Sequence, residues 1–234
     1  MLKEKTLKLL NTEEKNFKNL FSICIGNMYN IQNRFIEYIG EYSRWDTDLT
    51  KCFLQLDERK YDVEYIGTTS TTDNFWYSAE LESVIPDKGA KLIKKARKNL
   101  EKFGVKDLAS KKVQISGDIN GYNLSMIYMA FTNANTAYFC GGSDDAKIYM
   151  FVKNLDKQLF RRINSLEFSN RIFEIVSTFN VNHKLMIKAI LTENDIEYYE
   201  EENNIIAKFN KNSILTVSFN TNNLLEKCSG NLSL

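Results

Sequence analysis

The alternation of apolar and polar residues after position 44 constrains the fold of this chain more than any other feature. Three short stretches alternate in this way and a fourth is rich in aromatic residues: Trp45–Leu49, Cys52–Leu56, Tyr61–Ile66 and Asn74–Leu81. A period of two is the side-chain period of a β-strand, and short polar connections favour antiparallel neighbours. The region is therefore predicted to form an antiparallel meander with one buried and one solvated face.

Helical periodicity precedes this meander. Apolar residues from Phe17 to Phe35 recur at spacings of three and four, which places them on one side of a helix. Thr12, with two glutamates behind it, is a suitable N-terminal cap, and Gly40 is a suitable end. The chain is therefore predicted to begin with a helical segment over residues 1–41.

Two helices and a hairpin are predicted next, from apolar stripes and then a glycine-rich turn. They are a helix from Pro86 to Gly104, a helix over 119–133, and strands Thr136–Cys140 and Lys147–Val152 joined by Gly141–Asp145. The last third repeats the theme of helices followed by a meander. Its predicted elements are a helix over 157–179, a helix capped by Asn182, and strands Ile196–Glu200, Ile205–Phe209, Ile214–Phe219 and Leu224–Cys228.

These patterns predict an α+β fold in three parts. An N-terminal helical segment covers 1–41, an antiparallel sheet with helices covers 42–155, and two helices with a second meander cover 156–234. No linker rich in proline, glycine or serine marks the last boundary, so the third part is also compatible with packing as one globular unit with the second.

Composition excludes several classes of function. The 234 residues carry 31 basic and 30 acidic side chains, so clustered positive charge for nucleic acid is missing overall. The four cysteines are widely spaced, which predicts free thiols in a reducing compartment and neither a zinc site nor a cofactor site. No signal segment or membrane span is visible, so we expect a cytoplasmic protein that binds no membrane. The richness in lysine, asparagine and isoleucine suggests a bacterial source.

The candidate site residues lie in the first meander. Asp46 and Asp48 stand two apart on a predicted strand, so they share a face and resemble a pair for a divalent cation or for acid–base chemistry. Solvated strand faces also carry such pairs, and a metal site would need a third and a fourth ligand, for which Asp73 and Glu64 are the candidates. No catalytic or metal residue is therefore assigned.

Aromatic and hydroxyl-bearing residues complete the candidate set. Core packing explains the aromatic run around Trp76, and the alternative hypothesis is that Trp45 and Trp76 share one face of the meander and so a pocket. The loop from Gly67 through Thr68 to Asp73 is rich in hydroxyl groups, which suit a polar ligand, a partner's main chain or an ordinary solvated turn. The chain's single histidine, His183, stands at a predicted helix start without a nucleophile motif, which limits catalytic options.

One predicted helix is strongly basic. Its positive residues lie away from its apolar stripe and recur through Lys88, Lys91, Lys94, Lys95, Arg97, Lys98 and Lys102. Such a face suits RNA, anionic lipid or an acidic protein, although solvated helix faces have the same composition. The acidic run Glu197–Glu202 supplies a balancing charge elsewhere in the chain, so nucleic acid is not the expected partner.

Three short motifs carry a resemblance to a known family. Arg44–Leu49 reads RWDTDL, Tyr65–Thr68 reads YIGT, and Asn74–Ala79 reads NFWYSA. With their spacing to the next helix, they make residues 44–155 resemble a family of uncharacterised bacterial proteins known as a domain of unknown function. In that family an asparagine usually follows the tryptophan-bearing strand, whereas Glu82 or Ser83 stands near that place here. The resemblance implies that Trp45, Asp46, Gly67 and Trp76 act as a set, and it implies no activity.

The sequence as a whole favours a non-enzymatic module that binds a protein partner. An immunity-type protein that neutralises a toxin domain is one concrete form, because no catalytic constellation is present and meanders offer faces and edges to partners. The alternative is a hydrolase that uses Asp46 and Asp48, with or without a metal. A third hypothesis is RNA binding through the basic helix over 88–102.

Overall fold

The computed structural model describes residues 2–70, 72–143 and 145–231, without the side chain of Thr12. Thr71 and Asp144, which belong to the predicted loops 67–73 and 141–145, lie outside the described residues. The chain divides into two compact units, Ile31–Phe160 and Leu2–Asn30 with Arg161–Leu234. Helices and antiparallel sheets confirm the α+β class. The predicted three-part division stays a prediction.

The helices follow the predicted stripes closely. They are α1 (Glu4–Lys8), α2 (Phe17–Ile39), α3 (Lys91–Phe103), α4 (Gly121–Phe131), α5 (Ser165–Thr178) and α6 (His183–Glu193). Gly40 and Gly104 end α2 and α3 with φ of 59° and 92°, values that glycine adopts without a steric cost. Asn182 caps α6 by accepting a hydrogen bond from Leu185 N at 3.1 Å, as predicted.

The predicted starts of two helices are wrong. Helix α2 begins after Asn16, whose side-chain oxygen accepts Asn19 N at 2.9 Å, and not at Thr12. Helix α5 begins after Asn164, which forms a reciprocal capping box with Glu167, and not at 157. A separate 3₁₀ turn lies at each predicted start, Leu9–Thr12 before α2 and Lys157–Phe160 before α5, and the α-helix begins only after the capping asparagine further along the chain.

The start of α3 is also later than predicted. Asp87–Gly89 form a 3₁₀ turn after Pro86, and the α-helix begins only at Lys91. The buried carboxylate of Glu64 fixes this start, because its Oε2 accepts Leu92 N at 2.7 Å while its Oε1 pairs with Lys153 at 3.1 Å. A tertiary contact thus determines where α3 begins, and a local sequence pattern does not reveal it.

The first unit contains a seven-stranded antiparallel sheet. Its strands are β1 (Trp45–Asp48), β2 (Phe53–Leu56), β3 (Arg59–Ser70), β4 (Phe75–Ser78), β5 (Lys112–Gln114), β6 (Ala137–Gly142) and β7 (Ala146–Val152). The predicted meander β1–β4 and the hairpin β6–β7 are confirmed. Strand β5 was not predicted, because three residues are too few to show a period.

Strand β3 organises this sheet because it pairs with three others. Its first residues, 59–62, pair with β2, and its last residues, 67–70, pair with β4. Strand β7 pairs with residues 63–70 of β3. Because residues 67–70 of β3 pair with both β4 and β7, these two strands lie on opposite edges of β3. Beyond β7 lies β6, whose Tyr138 exchanges two hydrogen bonds with the side-chain amide of Gln32, at 2.8 and 3.1 Å. A side chain of α2 therefore occupies part of the outer edge of β6.

The second unit contains a four-stranded antiparallel sheet in the order β11–β10–β9–β8. The strands are β8 (Glu197–Glu201), β9 (Asn204–Asn210), β10 (Ser213–Phe219) and β11 (Leu225–Gly230), which confirms the predicted second meander. Within the described parts of both units, no helix combines the length and apolarity that a bilayer crossing needs.

Candidate functional site

Side chains from five neighbouring strands form one row across the first sheet. Directly opposed residues share a face, and the register places in this row Gly141, Ile148, Thr68, Tyr77 and Lys112. Four strand spacings make the row about 19 Å wide. We call the partly exposed residues of this row and their neighbours the open face, and it consists of Trp45, Thr68, Phe75, Tyr77, Lys112 and Ile148.

Trp45 lies at one end of the open face because β6 carries a glycine there. A Cβ atom at Gly141 would lie 2.5 Å from the Trp45 ring, so only glycine lets the indole pack this closely against β6. The ring also contacts Phe139, with 5.7 Å between ring centroids. Trp45 keeps part of its surface in solvent. It therefore forms an aromatic wall beside Ile148.

The other end of the open face is aromatic and carries both charges. Phe75 and Tyr77 lie 6.3 Å apart between ring centroids, and Lys112 Nζ lies 3.8 and 5.0 Å from them. The Tyr77 hydroxyl donates to the Asp73 carboxylate, which lowers the pKa of Asp73. Asp73 also accepts Phe75 N at 3.3 Å. These contacts hold the two rings in defined orientations, with a cation above them and an anion at the rim.

Trp76 and Gly67 lie on the opposite side of the sheet. Trp76 is fully buried and stacks on Tyr128 of α4, with 4.9 Å between centroids. A Cβ atom at Gly67 would lie 2.5 Å from the Trp76 ring, so this glycine makes room for the indole. The prediction that Trp45 and Trp76 share a face is wrong. Successive strand residues point to opposite faces, and Trp76 alternates with Phe75 and Tyr77.

Asp46 and Asp48 lie away from the open face. Between them, Thr47 turns inward and its hydroxyl lies 2.7 Å from the Tyr65 hydroxyl. The Asp46 carboxylate accepts Thr47 N at 2.8 Å and is exposed. Across the described residues, no group of three or more histidine, cysteine, aspartate or glutamate side chains is arranged to hold a metal ion.

Asp48 closes the turn between β1 and β2. Its Oδ1 accepts hydrogen bonds from Lys51 N at 2.9 Å, Thr50 N at 3.0 Å and the Thr50 hydroxyl at 2.8 Å. The Lys51 backbone bond, then the Thr50 hydroxyl, hold the pKa of Asp48 well below its ordinary range. A carboxylate with a lowered pKa stays ionised and is poorly suited to act as a general acid.

We expect Asp48→Asn to lower the melting temperature at pH 7, whereas Asp46→Asn leaves it unchanged. Because folding lowers the pKa of Asp48, its stabilisation is present above the unfolded-state pKa of about 3.9 and is lost as the pH falls below it. The difference in melting temperature between wild type and Asp48→Asn should therefore narrow between pH 5 and pH 2. Circular dichroism melts across that range test this, and a constant difference would contradict it.

The model of a family of unknown function, DUF6882, matches residues 18–155. The chain belongs to this family. The matched range contains all seven strands of the first sheet, α3, α4 and every residue of the open face. No curated protein and no solved structure matches the chain.

The basic helix of the DUF6882 region is α3. Its lysines are exposed, but Arg97 is withdrawn from that surface because it pairs with Glu80 and donates to the Ala109 carbonyl at 2.8 Å. Outside the family region, His183 Nδ1 accepts Leu225 N at 2.9 Å, which is a structural role. All four cysteines are free thiols, as predicted.

The candidate residues predicted from the sequence do not include Phe75, Tyr77, Ile148 or Lys112 of the open face. Phe75 and Tyr77 belong to the same aromatic run as Trp76, and alternation along β4 places them on the other face. Ile148 and Lys112 come from strands far along the chain, and only strand pairing brings them to Thr68. In the DUF6882 region, Trp45, Thr68 and Asp73 are the predicted site residues that the structure brings to one surface.

Proposed function

We propose that this chain is a non-enzymatic module that binds a protein partner through the open face. The observation that carries the proposal is that Trp45, Phe75 and Tyr77 are partly exposed on one sheet face while the intervening Trp76 is fully buried. Neutralisation of a toxin domain in a bacterial cytosol is the concrete form we favour. The module would then act by covering the partner's surface.

The composition of the open face suits a protein more than a nucleic acid. Tryptophan, tyrosine and phenylalanine are enriched where protein interfaces are most buried, because they offer large contact area at small entropic cost. Lys112 is the face's only cation, and Asp73 adds a carboxylate at the rim. A phosphate backbone would be attracted by the one charge and repelled by the other.

Affinity capture from an extract of the source organism, followed by titration of the purified partner, tests this proposal. We expect Tyr77→Ala to weaken binding by about tenfold or more, because tyrosines near the centre of an interface are enriched among the residues whose truncation costs about 2 kcal/mol or more. Tyr199→Ala is the matched control, since Tyr199 is 42% exposed on β8 of the second unit. A captured protein that binds Tyr77→Ala and wild type equally would overturn the proposal, as would failure to capture any protein.

The toxin-neutralising form has its own test. A purified or cloned partner that inhibits growth should lose this effect when the wild-type chain is produced with it. Production of Tyr77→Ala at the same level should restore inhibition, whereas Tyr199→Ala should still protect. If the partner binds the open face but never inhibits growth, the immunity-type role is contradicted and the binding role stands.

A further inference from the structure

A cavity within the second unit is separate from the open face. It has a volume of about 620 Å³, within the usual range for small-molecule sites. Its walls come from the end of α1, the start of α2, the start of α6 and the turn before β11. Its uncharged lining residues include Leu9, Asn19, Asn182, Leu185, Asn222 and Asn223.

The charge of this cavity is strongly one-sided. Four lysines line it, Lys8, Lys18, Lys184 and Lys188, against the single acidic residue Glu13. The whole chain has a net charge of only +1, so this is a local concentration of positive charge. Lys184 and Lys188 both pair with Glu200, at 2.9 and 2.7 Å, which holds their ammonium groups in place. The Lys8–Glu4 pair is solvent-exposed, and such pairs are weak.

His183 adds a neutral donor to the same cavity. Its Nδ1 accepts Leu225 N, so the neutral ring carries its hydrogen on Nε2. Burial, and then the positive charge of Lys18, lower the pKa of His183. The ring is therefore a hydrogen-bond donor at neutral pH without adding charge.

The start of α6 also favours an anion in the cavity. Asn182 to Leu185 line the cavity, so the positive end of an eleven-residue helix borders it. Apolar surface lies alongside, because Leu224 lines the cavity and is 46% exposed. Lysines, a neutral imidazole donor and a helix start all favour an anion, and the volume exceeds what a bare phosphate needs.

We infer that this cavity binds a small organic phosphate, with the phosphate near Lys18, His183 and the start of α6. The less polar part of the ligand contacts Leu224. This places a ligand site in the second unit, outside the family-matched range except at Lys18 and Asn19.

Isothermal titration of the full chain with ADP, inorganic phosphate and sulfate at constant ionic strength tests the inference. ADP is the probe for an organic phosphate, and inorganic phosphate distinguishes a simple anion site. We expect ADP to bind at least about tenfold more tightly than inorganic phosphate, and Lys18→Gln to weaken ADP binding about tenfold. Lys211→Gln is the control and should leave ADP binding unchanged, because Lys211 is an exposed lysine on the β9–β10 turn of the same unit.

Three results would overturn the inference. The first is no heat of binding for ADP up to a concentration of about 1 mM. The second is equal affinity for ADP and sulfate. The third is equal affinity for ADP in Lys18→Gln and wild type. Lys18 is exposed, so its substitution should not impair folding. Thermal melts of each variant without ligand confirm this, and a melting temperature that rises with ADP in wild type gives a second measure of binding.

Discussion

Trp76→Ala is expected to lower the free energy of unfolding by about 3–5 kcal/mol. Trp76 is fully buried, stacks on Tyr128 and fills the space that Gly67 leaves open. Removing the indole leaves a cavity between β4 and α4, and the surrounding sheet is paired on both sides and cannot collapse into it. Urea unfolding followed by circular dichroism measures the loss.

Trp76→Phe is the informative control. The Trp76 Nε1–H is buried without a hydrogen-bond partner among the described residues, which is an unfavourable arrangement. Phenylalanine keeps most of the ring and removes this donor, so we expect a loss of no more than about 1.5 kcal/mol. If Trp76→Ala cost less than Trp76→Phe, Trp76 would not be the packing residue that the structure shows.

Gly67→Ala is expected to cost about 3 kcal/mol, an unusually large effect for the addition of one methyl group. The new Cβ would lie 2.2 Å from the Tyr77 carbonyl oxygen and 2.5 Å from the Trp76 ring. The carbonyl belongs to a paired strand, and β3 is itself held by β4 on one side and β7 on the other. Relief would require several strands to shift together.

Thr68→Ala is the matched control for this substitution. Thr68 is the next residue of β3, lies on the open face and is partly exposed, so its truncation should cost less than about 1 kcal/mol. Both variants are compared by urea unfolding at equal protein concentration. Equal losses at 67 and 68 would contradict the close approach of β3 and β4 at Gly67.

Local patterns predicted most of the elements because those patterns have a single physical cause. Alternation in β1–β3 and the apolar stripe of α2 each follow from one buried side. Glycines with positive φ at 40 and 104 mark helix ends reliably. Helix starts were less predictable, since 3₁₀ turns precede α2, α3 and α5, and the start of α3 depends on Glu64, which is distant in sequence.

The open face could not be predicted from local patterns. Strand β4 carries aromatic residues on both sides, so alternation alone does not show which side is buried. The answer depends on α4, whose Tyr128 covers Trp76, and on Gly141, which admits the Trp45 ring. The motifs of the family resemblance combine both kinds of residue, since Trp45 lies on the open face while Gly67 and Trp76 form the core.

The hydrogen bonds of Gln32 have a consequence for how the first sheet ends. Its side-chain amide donates an N–H to the Tyr138 carbonyl and accepts the Tyr138 N–H, as a peptide group of a neighbouring strand would. The glutamine thus acts as a one-residue substitute for an eighth strand. A foreign strand approaching β6 would find the position at Tyr138 taken and would have to displace a side chain carried by a helix. A single side-chain amide therefore opposes the pairing of a further strand with this edge of the sheet at Tyr138.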